Sequence, residues 1–142
     1  MKDSLPLQFV DTNVLVYAHD KSAGKKHERA KALIAGLWDS GNGCVSIQVL
    51  EEFYVTVVHK VPNPLEPEVA CQVISDLSQW HVHVPDVDDI LEAVRVQQRN
   101  TLSFWDSLII WSAKSLGCEV VWTEDLSHGR SYEGVKVLSP FS

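Results

Sequence analysis

Short apolar runs alternate along this chain with longer stretches whose apolar residues recur at helical spacing. Residues 7–10 read as a buried strand, followed by a helix containing Val14, Leu15 and Tyr17. Gly24 breaks the pattern. Residues 26–38 resume it, with Ala30, Leu33, Ile34 and Leu37 on one face. Gly41-Asn42-Gly43 is a turn. Cys44 and Val45 make a short strand, and Ser46 is placed to cap a helix reaching Lys60. Pro62-Asn63-Pro64 stops that helix. The next begins near Glu66-Pro67 and carries Val69, Ala70, Val73, Ile74 and Leu77. Residues 81–84 form a third strand. Asp86 caps another helix, whose Val87, Ile90, Leu91 and Val94 again follow the i, i+3, i+4, i+7 rule. Ser103 starts a helix through Leu116, closed by Gly117 in the favoured position just past its end. Residues 119–123 are a fourth strand and 135–138 a candidate fifth.

Strands alternating with helices point to an α/β fold with a mostly parallel sheet of four to five strands, covered on both faces. With no internal repeat, low-complexity tract or linker, residues 1–142 are expected to form one domain. No apolar run reaches the roughly 18 residues of a membrane helix, and residues 1–6 lack the apolar core of a signal peptide. The expectation is a cytoplasmic protein with no membrane association. Cys44, Cys71 and Cys118 form no Cys-x-x-Cys pair and sit among apolar neighbours, which suits core packing.

The net charge of −7 argues against a bulk electrostatic grip on nucleic acid. It leaves room for a nucleic-acid enzyme, because acids gathered in one site lower the total and a bound metal locally reverses their sign. The balance is also uneven: residues 21–31 hold Lys21, Lys25, Lys26, Arg29 and Lys31 against the single acid Glu28.

In a parallel α/β sheet, strand C-termini and helix N-termini share the edge where ligands bind. Asp11 ends the first strand and Asp125 follows the fourth. Asp106 opens the helix leading into the fourth strand, and Glu51 and Glu52 lie early in the helix after the second. Each has a plain structural alternative: a cap for Asp11, a capping-box partner of Ser103 for Asp106, a turn for Asp125, solvated helix surface for the glutamates. Wheel geometry does not choose between Glu51 and Glu52. Together, however, like-charged carboxylates on one edge repel and call for a cation. Carboxylates with water suit Mg²⁺ or Mn²⁺, with Thr12, Asn13 and Thr123 able to orient them.

These segments resemble the motifs of the PIN-domain ribonucleases, among them toxins of the VapC type. Residues 9–20, FVDTNVLVYAHD, look like the first motif, whose aspartate maps to Asp11. Residues 46–60, SIQVLEEFYVTVVHK, resemble the second, where the glutamate before the aromatic is Glu52. Residues 102–118 and 121–129 are similar to the third and fourth, pointing to Asp106 and Asp125, with Thr123 in support. Ser139 stands where relatives often carry asparagine. The resemblance covers nearly the whole chain. It implies a three-layer α/β/α sandwich, Mg²⁺ or Mn²⁺ dependence, RNA cleavage, homodimers and a cognate antitoxin.

On this reading Asp11, Asp106, Asp125 and Glu52 hold one or two ions that activate water against an RNA phosphodiester. Glu52 is the first choice for accepting the water's proton. Lys25, Lys26 and Arg29 are candidates for RNA phosphates, or else a solvated helix face. His81 and His83, the acids at positions 86–92, and His128 suit ordinary strand, cap and turn roles. Trp38, Trp80 and Trp111 suit packing, while Trp105 beside Asp106 is open. A haloacid-dehalogenase-type phosphatase needs an acid at position 13, where the chain has Asn13. The rival reading is a non-catalytic PIN-like scaffold that binds RNA or protein.

Overall fold

In a computed structural model, residues 6–142 are described; the reading of residues 1–5 as free of a signal-peptide core lies outside them. The elements follow in the order β1 (Gln8–Val10), α1 (Thr12–Ala18), a 3-10 turn (Lys21–Ala23), α2 (Lys25–Ser40), β2 (Gly43–Ser46), α3 (Ile47–His59) and α4 (Pro67–Leu77). Then come β3 (His81–His83), α5 (Val87–Arg99), α6 (Phe104–Ser115), β4 (Val120–Trp122), β5 (Ser131–Tyr132) and β6 (Val135–Leu138). They form one sheet in the order β3-β2-β1-β4-β6-β5, parallel except for β5. Helices flank it in a three-layer α/β/α arrangement, α6 over β2, β3, β4 and β6, and α2 and α3 against β2.

Local chemistry sets most boundaries. The Ser46 hydroxyl accepts from Val49 N at 3.3 Å to start α3, Ser103 does the same for Asp106 N at 3.0 Å in α6, and Asp86 and Asp89 make a reciprocal capping box on α5. Gly41 ends α2 at φ 73°. β1 lies at the centre of the sheet, its Phe9 and Val10 fully buried. The order runs outward from β1 on one side, through β2 and β3, then resumes on the other with β4. β1 is therefore the switch point of the topology.

Four expectations change. The sheet has six strands, because β5 pairs with β6 through a two-residue turn, Glu133 (φ 53°) and Gly134 (φ 83°). Arg99 Nε and Asn100 Nδ2 hold the Glu133 carboxylate at 3.0 and 3.1 Å, supporting a backbone conformation unusual for a glutamate. Secondly, the Val87, Ile90, Leu91, Val94 stripe of α5 faces outward, 36–71% exposed, while Ala93 and Val96 are buried. α5 is anchored through the opposite face, where Asp89 takes a 2.9 Å bond from the Trp111 indole and lies 3.4 Å from His83. Cys71 is exposed, whereas Cys44 and Cys118 are buried. Trp38, finally, is 42% exposed although it packs edge-on against Trp80 at 5.4 Å. No helix among the described residues is long and apolar enough to cross a membrane.

Gly43 opens β2 directly under the Trp80 ring, where an added Cβ would lie 2.7 Å from ring carbons. Trp80 is 8% exposed and has little room to withdraw. Gly43→Ala should therefore overpack the core by about 1–3 kcal/mol, lowering Tm by roughly 3–12 °C in thermal melts. Combining it with Trp80→Leu should recover part of that loss; a Gly43→Ala protein melting like wild type would contradict the packing.

Candidate active site

Asp11 is the residue at which β1 becomes α1. Its backbone N–H donates to Trp122 O of β4 at 3.0 Å, continuing the sheet one residue further, while its carboxylate caps α1 through Thr12 N at 2.7 Å. The other oxygen accepts from Thr123 Oγ1 at 2.9 Å. Asp11 is 5% exposed and Thr123 fully buried. The cap of α1 and the tie to Thr123 thus fall on one side chain.

Thr123, just beyond β4, is the hub. Besides donating to Asp11, its hydroxyl oxygen accepts from Asn13 Nδ2 and Asp125 N, both at 3.1 Å. Asn13 also donates to Asp125 Oδ2 at 3.0 Å and accepts from Glu124 N at 3.3 Å. On the other side, Thr12 Oγ1 donates to Glu52 Oε1 at 3.0 Å, so the hydroxyl of α1 takes Glu52 rather than Glu51. Asp106 lies in the first turn of α6. All four carboxylates line one cleft of about 560 Å³, together with Thr12 and Asn13.

Their charges act on one another. Burial pushes the Asp11 carboxyl up to about 7, with the charges of Asp125 and Glu52 adding to it and the bonds from Thr12 and Thr123 opposing it. Asp106 is likewise raised, first by burial and then by Asp125, against its bond with Ser103. Among the described residues the ion pairs fall on other acids, Glu124, Asp89, Glu92 and Glu133, and none on these four. The four form an open set: among the described residues no three His, Cys, Asp or Glu side chains are drawn together as a ready-made metal cage. Oxygen donors around a buried, uncompensated carboxylate have the chemistry that a hard divalent ion takes.

Of the two alternatives for the basic stretch, exposure along α2 is what the fold displays. Lys26 lies over the Tyr17 ring at 5.0 Å and reaches Glu124 at 2.8 Å, while Lys25 and Arg29 are exposed on α2; none of the three lines the cleft. The cleft's one lining cation among the described residues is Lys60. Sequence reasoning missed it, together with Gln48 and Asp20. Gln48 is 8% exposed, and its Nε2 approaches Glu52 Oε1 at 3.4 Å and Trp105 O at 3.5 Å, leaving a buried Oε1 without a partner. The missed signal was a spacing: Gln48, Glu52, Thr56 and Lys60 recur every fourth residue, a polar ridge along a mostly apolar helix.

Comparison with known proteins gives the following. A family model described as "PIN domain" matches residues 9–132. No curated protein sequence matches the chain. Among solved structures, a chain of a toxin–antitoxin complex from Klebsiella pneumoniae superposes with a TM-score of 0.68 at 19% identity, covering 94% of this chain and 97% of that one. A chain of DNA-bound VapBC from Salmonella typhimurium gives 0.66 at 18%, covering 96% and 99%. VapC20 of Mycobacterium tuberculosis, titled a sarcin-ricin loop cleaving toxin, gives 0.62 at 20%, covering 80% and 86%.

The buried Asp11 charge predicts a pH dependence for the metal-free protein. Its folded pKa of about 7 lies above the ordinary value of 3.8, so between those values the folded state binds the extra proton. Stability should fall as pH rises through that window and level off above it. In chelator, Asp11→Asn should flatten this slope and melt several degrees above wild type at pH 8. Added Mg²⁺ should raise the wild-type Tm and leave Asp11→Asn nearly unmoved. A wild-type protein equally stable at pH 5 and pH 8 without metal would contradict the buried charge.

Proposed function

The chain belongs to the PIN domain family, and on that premise we propose that it is a divalent-metal-dependent endoribonuclease, the toxin of a toxin–antitoxin pair. The observation that carries the reading is the uncompensated Asp11 carboxylate beside Glu52 and Asp125, with Asp106 across the same cleft. That the superposable structures belong to a toxin–antitoxin complex and a sarcin-ricin loop cleaving toxin supports RNA as substrate and an antitoxin as partner. The reading puts the protein in the cytoplasm with its RNA.

In this mechanism Asp11, Asp106 and Asp125 would hold Mg²⁺ or Mn²⁺. When bound, the ion polarises a phosphoryl oxygen and acidifies water. The chain's residues do the rest. Thr123 and Thr12 N fix both oxygens of Asp11, and Asn13 fixes Asp125 through Oδ2. Glu52, oriented by Thr12 Oγ1, accepts the proton of the attacking water. The water oxygen bonds to phosphorus, one P–O bond to ribose breaks, and the leaving oxygen takes up a proton from solvent water. Lys60, at the end of α3, meets a phosphate oxygen.

The reading includes a homodimer, and the outward stripe of α5 supports one. Val87, Ile90, Leu91 and Val94 are flanked by exposed Asp88 and Arg95. An antiparallel pair of α5 helices about a twofold near position 91 sets Val87 against Val94 of the second copy. The same geometry brings Asp88 within reach of its Arg95, which pairs with Glu92 in the single chain, and repeats both contacts in reverse, as an isologous interface requires.

Purified protein freed of any bound partner should cleave labelled RNA with Mg²⁺ or Mn²⁺ and stop on chelation. Asp11→Asn and Asp106→Asn should remain folded and lose at least about 100-fold of the rate. Cleavage that persists in both would remove the site; RNA left whole by wild type would favour the non-catalytic scaffold. For the dimer, Asp88→Arg and Arg95→Asp should each be monomeric by light scattering, and an equimolar mixture of the two should pair again. Two variants that stay dimeric, or a mixture that stays monomeric, would rule out this interface.

A further inference from the structure

We propose that Trp105 is a stacking platform for one unpaired nucleobase next to the cleaved phosphate, so that the enzyme selects single-stranded RNA through aromatic contact rather than charge. The inference rests on the ribonuclease reading above.

The electrostatics of the cleft create the need. Among the described residues Asp11, Asp20, Glu51, Glu52, Asp106 and Asp125 line it against one cation, Lys60, in a chain of net charge −7. A divalent ion offsets two of those charges. The phosphates on either side of the cleaved one still enter an acidic surface; of the basic residues of α2, Lys26 sits over Tyr17 at its margin with Glu124 taking its charge, and Lys25 and Arg29 do not line it. Affinity for a polyanion in such a cleft has to come from contacts that carry no charge. A base face stacked on an aromatic ring is the strongest of these and tolerates any base, since every base has a π-face.

Two aromatic residues line the cleft, Tyr17 and Trp105. Tyr17 is already committed: its hydroxyl donates to Glu124 at 2.7 Å, its face lies under Lys26 at 5.0 Å, and the Phe141 ring meets it edge-on at 5.2 Å. Trp105 is the opposite case. It is 61% exposed, an unusual position for the largest apolar side chain, and its ring contact is the Phe104 ring at 5.1 Å and 79°. That edge-to-face contact braces the indole while leaving surface for a ligand. Its backbone is also fixed to the reactive groups. Trp105 precedes Asp106 in the first turn of α6, and its carbonyl faces Gln48 Nε2, which also approaches Glu52. A base on the indole therefore places its own phosphate beside Asp106. A base held in a duplex cannot offer its face, so paired RNA is excluded.

The test measures binding separately from cleavage. In the Asp106→Asn background with Mg²⁺, the affinity for a fluorescent single-stranded oligoribonucleotide should fall about 5- to 150-fold on adding Trp105→Ala, the range for loss of one base–aromatic stack. Adding Trp105→Phe instead should keep most of the affinity. The slope of log Kd against log salt should stay unchanged in Trp105→Ala, which removes no charge, and decrease in Lys60→Ala. The same sequence as a duplex should bind more weakly and ignore Trp105→Ala. A Trp105→Ala protein that melts normally and binds single strands as tightly as its parent would overturn the proposal, as would a duplex bound as well as the single strand. If RNA binds through Trp105 yet the wild type cleaves nothing, the ribonuclease reading fails and the platform stands.

Discussion

Burial of one carboxylate at the centre of the sheet is the constraint around which this structure is arranged. Asp11 ends the middle strand, where the strand order turns back on itself, and there is almost no water to solvate it. Two hydrogen bonds, from Thr12 N and Thr123 Oγ1, offset part of the cost. They do not restore an ordinary acidity, since burial still holds the group near neutrality. The fully buried Thr123 and the bridging Asn13 follow from this constraint, because only short polar side chains can reach Asp11 and Asp125 together. The fold therefore carries a local instability at Asp11, a common trade between a strained site and stability, and on the proposed reading a bound cation is what relieves it.

The order of elements was legible in the sequence because its signals are local. Ser46, Asp86 and Ser103 cap the helices where their positions predicted, and the polarity of strands and helices was enough to put four distant acids on one edge. Features that depend on a partner were not legible. A helical period shows that α5 has an apolar stripe but not which way it faces; Asp89, bonded to Trp111, turns the other side inward. β5, two residues long, is shorter than any period. Glu52 could not be separated from Glu51 by wheel geometry, and the resemblance made that choice. In the fold the distinction lies in a hydroxyl 40 residues away, on Thr12. Lys25, Lys26 and Arg29 looked like phosphate ligands because they cluster in sequence, yet Lys26 is spent on Glu124 and the cleft receives Lys60 from another helix.

Glu124 and Asp125 are adjacent acids on the same loop, and the structure treats them in opposite ways. Glu124 receives Lys26 Nζ at 2.8 Å and Tyr17 Oη at 2.7 Å, so its charge is answered within the protein. Asp125 receives the neutral amide of Asn13. The same division runs through the described residues: Asp89, Glu92 and Glu133 have cationic partners or a histidine, while Asp11, Glu52, Asp106 and Asp125 have hydroxyls, amides and backbone N–H groups. Neutral donors orient a carboxylate without discharging it. An acid meant only to stabilise the fold gains most from a cationic neighbour, whereas an acid meant to hold an exchangeable cation has to keep its charge and its geometry at once. Among the described residues no lysine or arginine partners these four acids, in a fold that supplies such partners to neighbouring acids; on the proposed reading, the charge that compensates them is a bound divalent cation.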